Sequence, residues 1–330
     1  MRALGVVALA VAVLFLTATV AGAGLAALRV TVTVHVGKHP AGMAIAAGSL
    51  WVTNDVDNTV TRVDPAAGTV TGTIALRGKG YPDPTFTAVG GDALWLLARN
   101  GTVSKIDLQS GELVATLSVP GDALGIALVG DSVWVTSFDE YRCNKTCFSR
   151  LSRIDTRSNR ATGTFTVPTP TGMAFGVGSL WIVNHRAATV TRFDPRRARV
   201  IATIRVRIGH ESPFEGPERI ATGLGAVWVS HPAQDVVTRI DPRTNKVVAR
   251  IRFPKGSAPV FLAIGAESVW TVGAKQIFRI DARRNRVIDS ASIGNHPGSD
   301  YRGLRQILVS GNTLWVTDGD ADTVDRIDLR

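Results

Sequence analysis

The stretch Gly48–Pro65, GSLWVTNDVDNTVTRVDP, reads as two short strands, Leu50–Asn54 and Thr59–Val63, joined by a polar turn at Asp55–Asn58. Its Trp51, Arg62 and Asp64 recur along the whole chain. Tryptophan stands at 51, 95, 134, 181, 228, 270 and 315, each time after Leu or Val, at intervals of 39 to 47 residues. Upstream of each lies a short run rich in Ala, Ile, Val and Gly, such as GMAIAAGS or GIALVGDS. Downstream, a further strand ends in a basic residue, an apolar one and Asp: Arg62-Val63-Asp64, Lys105-Ile106-Asp107, Arg153-Ile154-Asp155, Arg192-Phe193-Asp194, Arg239-Ile240-Asp241, Arg279-Ile280-Asp281 and Arg326-Ile327-Asp328.

A fourth strand follows six of these Asp residues, after turns such as DPAAGT and DPRTNK whose Pro, Gly and Asn suit tight backbone angles. The seventh copy lacks one, because the sequence stops at Arg330. Residues 30–36, VTVTVHV, supply the missing strand from the other end. Pairing them with Thr323–Ile327 closes a ring and removes the exposed edges of an open array. A period of about 40–45 residues with four strands per repeat is that of a propeller blade. The expected fold is therefore all-β: a seven-bladed β-propeller of four-stranded antiparallel blades, closed by an N-terminal strand. Length alone, at about 150 residues per domain, suggests two domains. The repeat instead makes residues 24–330 a single one. Each tryptophan is expected to wedge between blades, and each Arg-x-Asp pair to serve the scaffold.

Composition, 45% hydrophobic and 19% charged, fits a globular chain and excludes a disordered one. The formal net charge of +10 favours anionic partners. Met1–Ala23 has a basic start, an uncharged apolar run and small residues at 21–23, the layout of a secretory signal cleaved after Ala23. The same run, at about 18 residues, is long enough to act as an uncleaved membrane anchor. Both readings put the remainder in a secreted or extracytoplasmic location. Cys143 and Cys147 share one loop and are expected to form a local disulfide.

The units WVTN-x4-TVTRVDP from Trp51 and WIVN-x4-TVTRFDP from Trp181 resemble YVTN-type propeller repeats. They are also similar to the streptogramin (virginiamycin B) lyase superfamily, and the resemblance spans residues 30–330. It implies the seven-bladed fold and covers binding proteins and enzymes alike. In the lyases, catalytic histidines occupy Pro-His-(Ala/Gly)-Ile segments beside a Glu and bound magnesium. The matching segments here, Pro217-Glu218-Arg219-Ile220, Pro259-Val260-Phe261-Leu262 and Gly303-Leu304-Arg305-Gln306-Ile307, carry no histidine.

Propeller sites gather on the face that carries the connections from second to third strand and from fourth to next first strand. The residues three after each Trp should ring the channel mouth there: Asn54, Ala98, Ser137, Asn184, His231, Gly273 and Asp318. Three longer loops add Tyr81, then His210, Glu218 and Arg219, then His296, Tyr301 and Arg302. Asn54, Tyr81, Asn184, His210, Arg219, His296, Tyr301, Arg302 and Asp318 are thus candidate ligand-binding residues, and His231 and Glu218 candidate catalytic ones. The opposite face is basic through Arg196, Arg197, Arg199, Arg243, Lys246, Arg283, Arg284 and Arg286, and could engage an anionic cell-surface polymer. No aromatic residues interleave these cations to stack bases, so nucleic acid is not the expected partner. Nucleophile motifs, phosphate-binding Gly loops and calcium loops are absent.

Two functions follow. The first is a monomeric, exported binding scaffold without a cofactor, with a small molecule or protein on the channel face. The alternative, implied by the resemblance, is a magnesium-dependent lyase with His231 as base and Glu218 or Asp318 as metal ligand.

Overall fold

The computed structural model describes residues 28–76, 83–138, 149–209, 215–273, 276–292 and 304–329. Its strands form seven four-stranded antiparallel sheets. Blades 1 to 6 occupy residues 40–75, 84–118, 122–166, 170–205, 220–252 and 261–292; blade 7 joins residues 304–328 to the N-terminal strand. In blade 1 the strands are Pro40–Ala46, Ser49–Asn54, Thr59–Asp64 and Thr69–Ala75, ordered from channel to rim. Neighbouring first strands touch all the way round, blade 7 meeting blade 1. The closing strand Val30–His35 pairs antiparallel with Thr323–Asp328, as the sequence predicts.

All seven tryptophans are at most 1% exposed. Each lies on the second strand and fills the seam toward the next blade. Trp51 packs with Leu94 and Leu96 of blade 2, Trp270 with Ile307 and Leu314 of blade 7, and Trp315 with Met43 and Leu50 of blade 1. An indole in such a seam removes about 150–250 Å² of its surface from water, the largest apolar contribution any residue makes. Its N–H is satisfied within the blade: Trp51 Nε1 donates to the Ala46 carbonyl and Trp228 Nε1 to that of Gly223, both at 3.2 Å.

The basic residue of each Arg-x-Asp unit pairs across the strand with that tryptophan, and in blades 1 to 6 it covers the ring. Arg62, Lys105, Arg153, Arg192, Arg239 and Arg279 hold their charges 4.9–5.8 Å from the ring centroids. Several then reach the following blade. Arg192 Nη1 donates to the Pro242 carbonyl at 2.6 Å and to Asn245 Oδ1 at 2.9 Å; Arg239 Nη1 does the same to Ala282 and Asn285 at 2.8 and 2.9 Å. Asn245 and Asn285 end their turns at φ 56° and 53°, where asparagine is tolerated, and their amides double as acceptors for the preceding blade. The Asp of the unit turns the other way. Asp64 Oδ1 accepts the N–H groups of Ala66 and Ala67 at 2.8 and 3.0 Å. Those bonds, chiefly that from Ala67, hold its carboxyl below the ordinary range, and backbone bonds do likewise at Asp107, Asp155, Asp194, Asp241 and Asp281.

Candidate functional site

The residues three after each Trp stand at the end of the second strand, on the expected face, yet they do not ring the mouth. Asn54, Asn184 and His231 are fully buried, and Asp318 is 2% exposed. Each is engaged inside its own blade. Asn54 Nδ2 donates to Thr59 and Thr61 Oγ1, and Asn184 Nδ2 to Thr189 and Thr191 Oγ1, all at 2.9 Å. Asp318 Oδ1 accepts the N–H groups of Asp320 and Ala321 at 3.0 and 3.1 Å, capping the next turn. His231 Nε2 shares a hydrogen bond of 3.0 Å with Thr238 Oγ1. Burial, with a smaller contribution from the Arg250 charge, pushes its pKa down to about 3, so the ring is neutral. Gly273 takes this position in blade 6 because a Cβ there would come within 2.1 Å of the Ala258 carbonyl oxygen. The physical reason is position: the end of the second strand lies one strand outward from the channel, beneath the connection that follows it.

Tyr81, His210, His296, Tyr301 and Arg302 lie outside the described residues, as do the Cys143–Cys147 pair and Met1–Ala23. Among the described residues, no three His, Cys, Asp or Glu side chains gather as a metal set. His231 in blade 5 and Asp318 in blade 7 are each hydrogen-bonded within their own blade.

Arg219 is different. Three blades converge on its guanidinium. Nη1 donates to the Thr171 carbonyl of blade 4 at 2.7 Å, and the group lies 5.4 Å from the Phe86 ring centroid of blade 2 and 5.3 Å from that of Phe261 of blade 6. Blades 2 and 5 are not neighbours, so the contact with Phe86 runs across the channel. The backbone that carries Arg219 is firmly held. Its N–H donates to Ser230 Oγ at 3.1 Å, and Ser230 N–H donates back to its carbonyl at 3.0 Å. Two residues earlier, the Pro217 carbonyl accepts from His185 Nδ1 at 3.1 Å. Gly216 packs so closely on blade 4 that a Cβ would sit 2.0 Å from the His185 carbonyl oxygen. Glu218 and Arg99 act on the guanidinium electrostatically, but burial is the larger influence and lowers its pKa. Among the described residues Arg219 makes no ion pair, and its Nε has no acceptor.

Register explains why this residue is singular. Arg219 faces Ser230, the residue two after Trp228. The equivalent partners in the other blades are Gly42, Phe86, Gly125, Gly172, Phe261 and Gln306. The column therefore holds three glycines, two phenylalanines, one arginine and one glutamine. Gly42, Gly125 and Gly172 let neighbouring first strands approach: a Cβ on Gly42 would meet the Thr85 carbonyl oxygen of blade 2 at 2.7 Å. Gln306 Oε1 accepts the Met43 N–H and ties blade 7 to blade 1. Sequence reasoning found Arg219 but missed Phe86 and Phe261. Aligning the seven copies on the residue opposite Trp+2, rather than on Trp+3, isolates all three.

The opposite face is less free than its composition suggests. Arg197 and Arg284 pair with Asp194 and Asp281 of their own turns, at 3.1 and 2.9 Å. A groove of about 610 Å³ between blades 5 and 6 is lined by Arg239, Arg279, Arg283 and Arg284. Arg239 there is committed to the seam, and Arg279 is bonded within its own blade to Ser268 Oγ at 2.8 Å.

The fold and this channel face define a seven-bladed β-propeller with a cationic, aromatic-flanked channel. No family model matches the sequence, and no curated protein matches it.

Proposed function

We propose that this protein is an exported binding scaffold, not a catalyst, and that its ligand presents an oxyanion to Arg219 at the channel mouth. One observation carries the reading. Arg219 is a guanidinium held between two phenylalanine rings without a carboxylate partner among the described residues. A half-buried cation in that state is stabilised by an incoming anion more than a fully exposed one is, and its planar fork suits a carboxylate or phosphate. The rings on either side add apolar surface beside the charge. Export rests on the layout of Met1–Ala23.

The test is titration of the full-length protein with a panel of small monocarboxylates and phosphate monoesters, read by calorimetry, for the wild type and Arg219→Met. Methionine keeps the channel filled while removing charge and donors. Binding by the wild type that falls at least tenfold in the variant supports the reading. Equal affinities, or no binding by any member of the panel, would sink it.

A further inference from the structure

The repeat carries its own control for surface charge. On the outer strand of each blade, alternate residues face solvent, and in blades 1 to 3 those positions are mostly Thr, Ser or Val: Thr71, Thr73, Thr116, Ser118, Thr162 and Thr164 are all exposed. Blade 6 continues the pattern with Ser290 and Ser292, and because the first outer-strand position is an exposed arginine in blades 3 and 6 too, Arg160 and Arg286, the contrast between blades lies further along the strand. Solvation of an outer strand therefore does not require charge in this scaffold.

Blades 4 and 5 depart from it together. The strand Arg199–Arg205 and the residues after it expose Arg199, Arg205 and Arg207; the strand Lys246–Arg252 exposes Lys246, Arg250 and Arg252. Between and beneath them the alternate residues Ile204, Val206, Ile251 and Phe253 are buried in the seams, so the cations are confined to the outward face. Neither strand exposes an acidic residue, and among the described residues none of the six cations makes an ion pair. The two strands meet where Arg250 Nη2 donates to the Arg207 carbonyl at 3.2 Å. At about 3.4 Å per residue, the ladder from Arg199 to Arg207 is about 27 Å long and that from Lys246 to Arg252 about 20 Å, with cations two residues apart separated by about 7 Å.

We infer that the outer wall of blades 4 and 5 binds a linear, base-free polyanion laid along these two ladders. Like charges set this close repel one another unless an anion lies over them, and five of the six are arginines, whose forks match phosphate, sulfate and carboxylate oxygens. The outward positions of both strands contain no aromatic residue, so nothing stacks a nucleobase or anchors in a lipid interface. Ile201 and Val248, exposed midway along the ladders, offer contact to the uncharged backbone of such a polymer. This surface is separate from the Arg219 site and stands whether or not that site binds anything.

The experiment uses the full-length protein with polyphosphate, heparin and polyglutamate as phosphate, sulfate and carboxylate probes, single-stranded DNA, and vesicles containing anionic lipid. Affinity is measured over a series of salt concentrations. A wall variant carries Arg205→Thr, Arg207→Thr, Arg250→Thr and Arg252→Thr, placing the residue that other blades tolerate at such positions. A control variant carries Arg157→Thr, Arg160→Thr, Arg283→Thr and Arg286→Thr and loses the same formal charge. The expected result is binding of at least one base-free polymer that weakens tenfold or more in the wall variant and less than about threefold in the control. The slope of log affinity against log salt should fall by about three for the four lost contacts. The order among the three polymers identifies the oxyanion. Equal weakening in both variants, binding of no base-free polymer, or binding confined to DNA or to vesicles would overturn the inference.

Discussion

His231 shows what burial does to a residue whose type suggests chemistry. It is an imidazole at the end of a strand on the site-bearing face, but the ring is enclosed, bonded to Thr238 and neutral, with a pKa near 3. The unfolded chain takes up its proton near pH 6.5. Between those values the unfolded state binds more protons, so the stability His231 allows is complete above about pH 6.5 and is lost as pH falls toward 3. The loss is at most about 1.4 kcal/mol for each pH unit in that window. His231→Gln keeps a polar group near Thr238 but cannot titrate. Urea unfolding of the variant at pH 7.0 and pH 4.5 should therefore show a smaller difference than wild type, by about 2–3 kcal/mol. Parallel pH dependences would mean that the ring is protonated in the fold or reaches solvent. Arg219 is the opposite case, since its side chain projects into the channel and its charge is not cancelled by an ion pair among the described residues.

At the scale of the element, the working unit is the seam between blades rather than the single sheet. A second-strand tryptophan, the cation stacked on it and the following blade's turn form one assembly. In blade 5 these are Trp228, Arg239 and the Ala282 and Asn285 acceptors of blade 6. Trp228→Ala should cost about 3–5 kcal/mol, through lost apolar contact and the cavity left behind. The mutation should also release Arg239, because the ring it covers is gone. A double-mutant cycle of Trp228→Ala with Arg239→Met, followed by denaturant unfolding, should give a coupling of about 1 kcal/mol, and strict additivity would show that the stack contributes nothing. The seam was legible in the sequence as Trp, Arg and Asp at fixed spacing. That the Arg serves the next blade while the Asp serves its own turn was not, because residues two apart on a strand share a face whatever their partners are.

For the whole molecule, closure decides stability. The N-terminal strand contributes Val34 to the seam cluster that holds Trp315 and Leu50, and Thr33 Oγ1 donates to Asp325 Oδ1 at 2.7 Å. Deleting residues 30–36 should leave Thr323–Asp328 as an open edge and unzip the contact between blades 7 and 1. A melting temperature at least 10 °C lower, with the protein more prone to associate, is the expected outcome by scanning calorimetry and light scattering. An unchanged transition would show that the ring does not depend on this strand.

The sequence by itself determined the number of blades, the order of strands, the closing pair and the burial of the seven tryptophans. All of these follow from local periodicity, and a period repeated seven times leaves little freedom for other pairings. It also placed Arg219 among the candidates, since an irregular segment before a first strand stands out against the repeat. Only the tertiary structure decided which variable column faces the channel. Asn54, Asn184, His231 and Asp318 vary conspicuously but turn inward to satisfy buried polar neighbours, whereas Phe86 and Phe261, unremarkable in one dimension, converge on Arg219 from different blades. Convergence across a ring depends on where seven separate first strands come together, and no spacing along one chain encodes it.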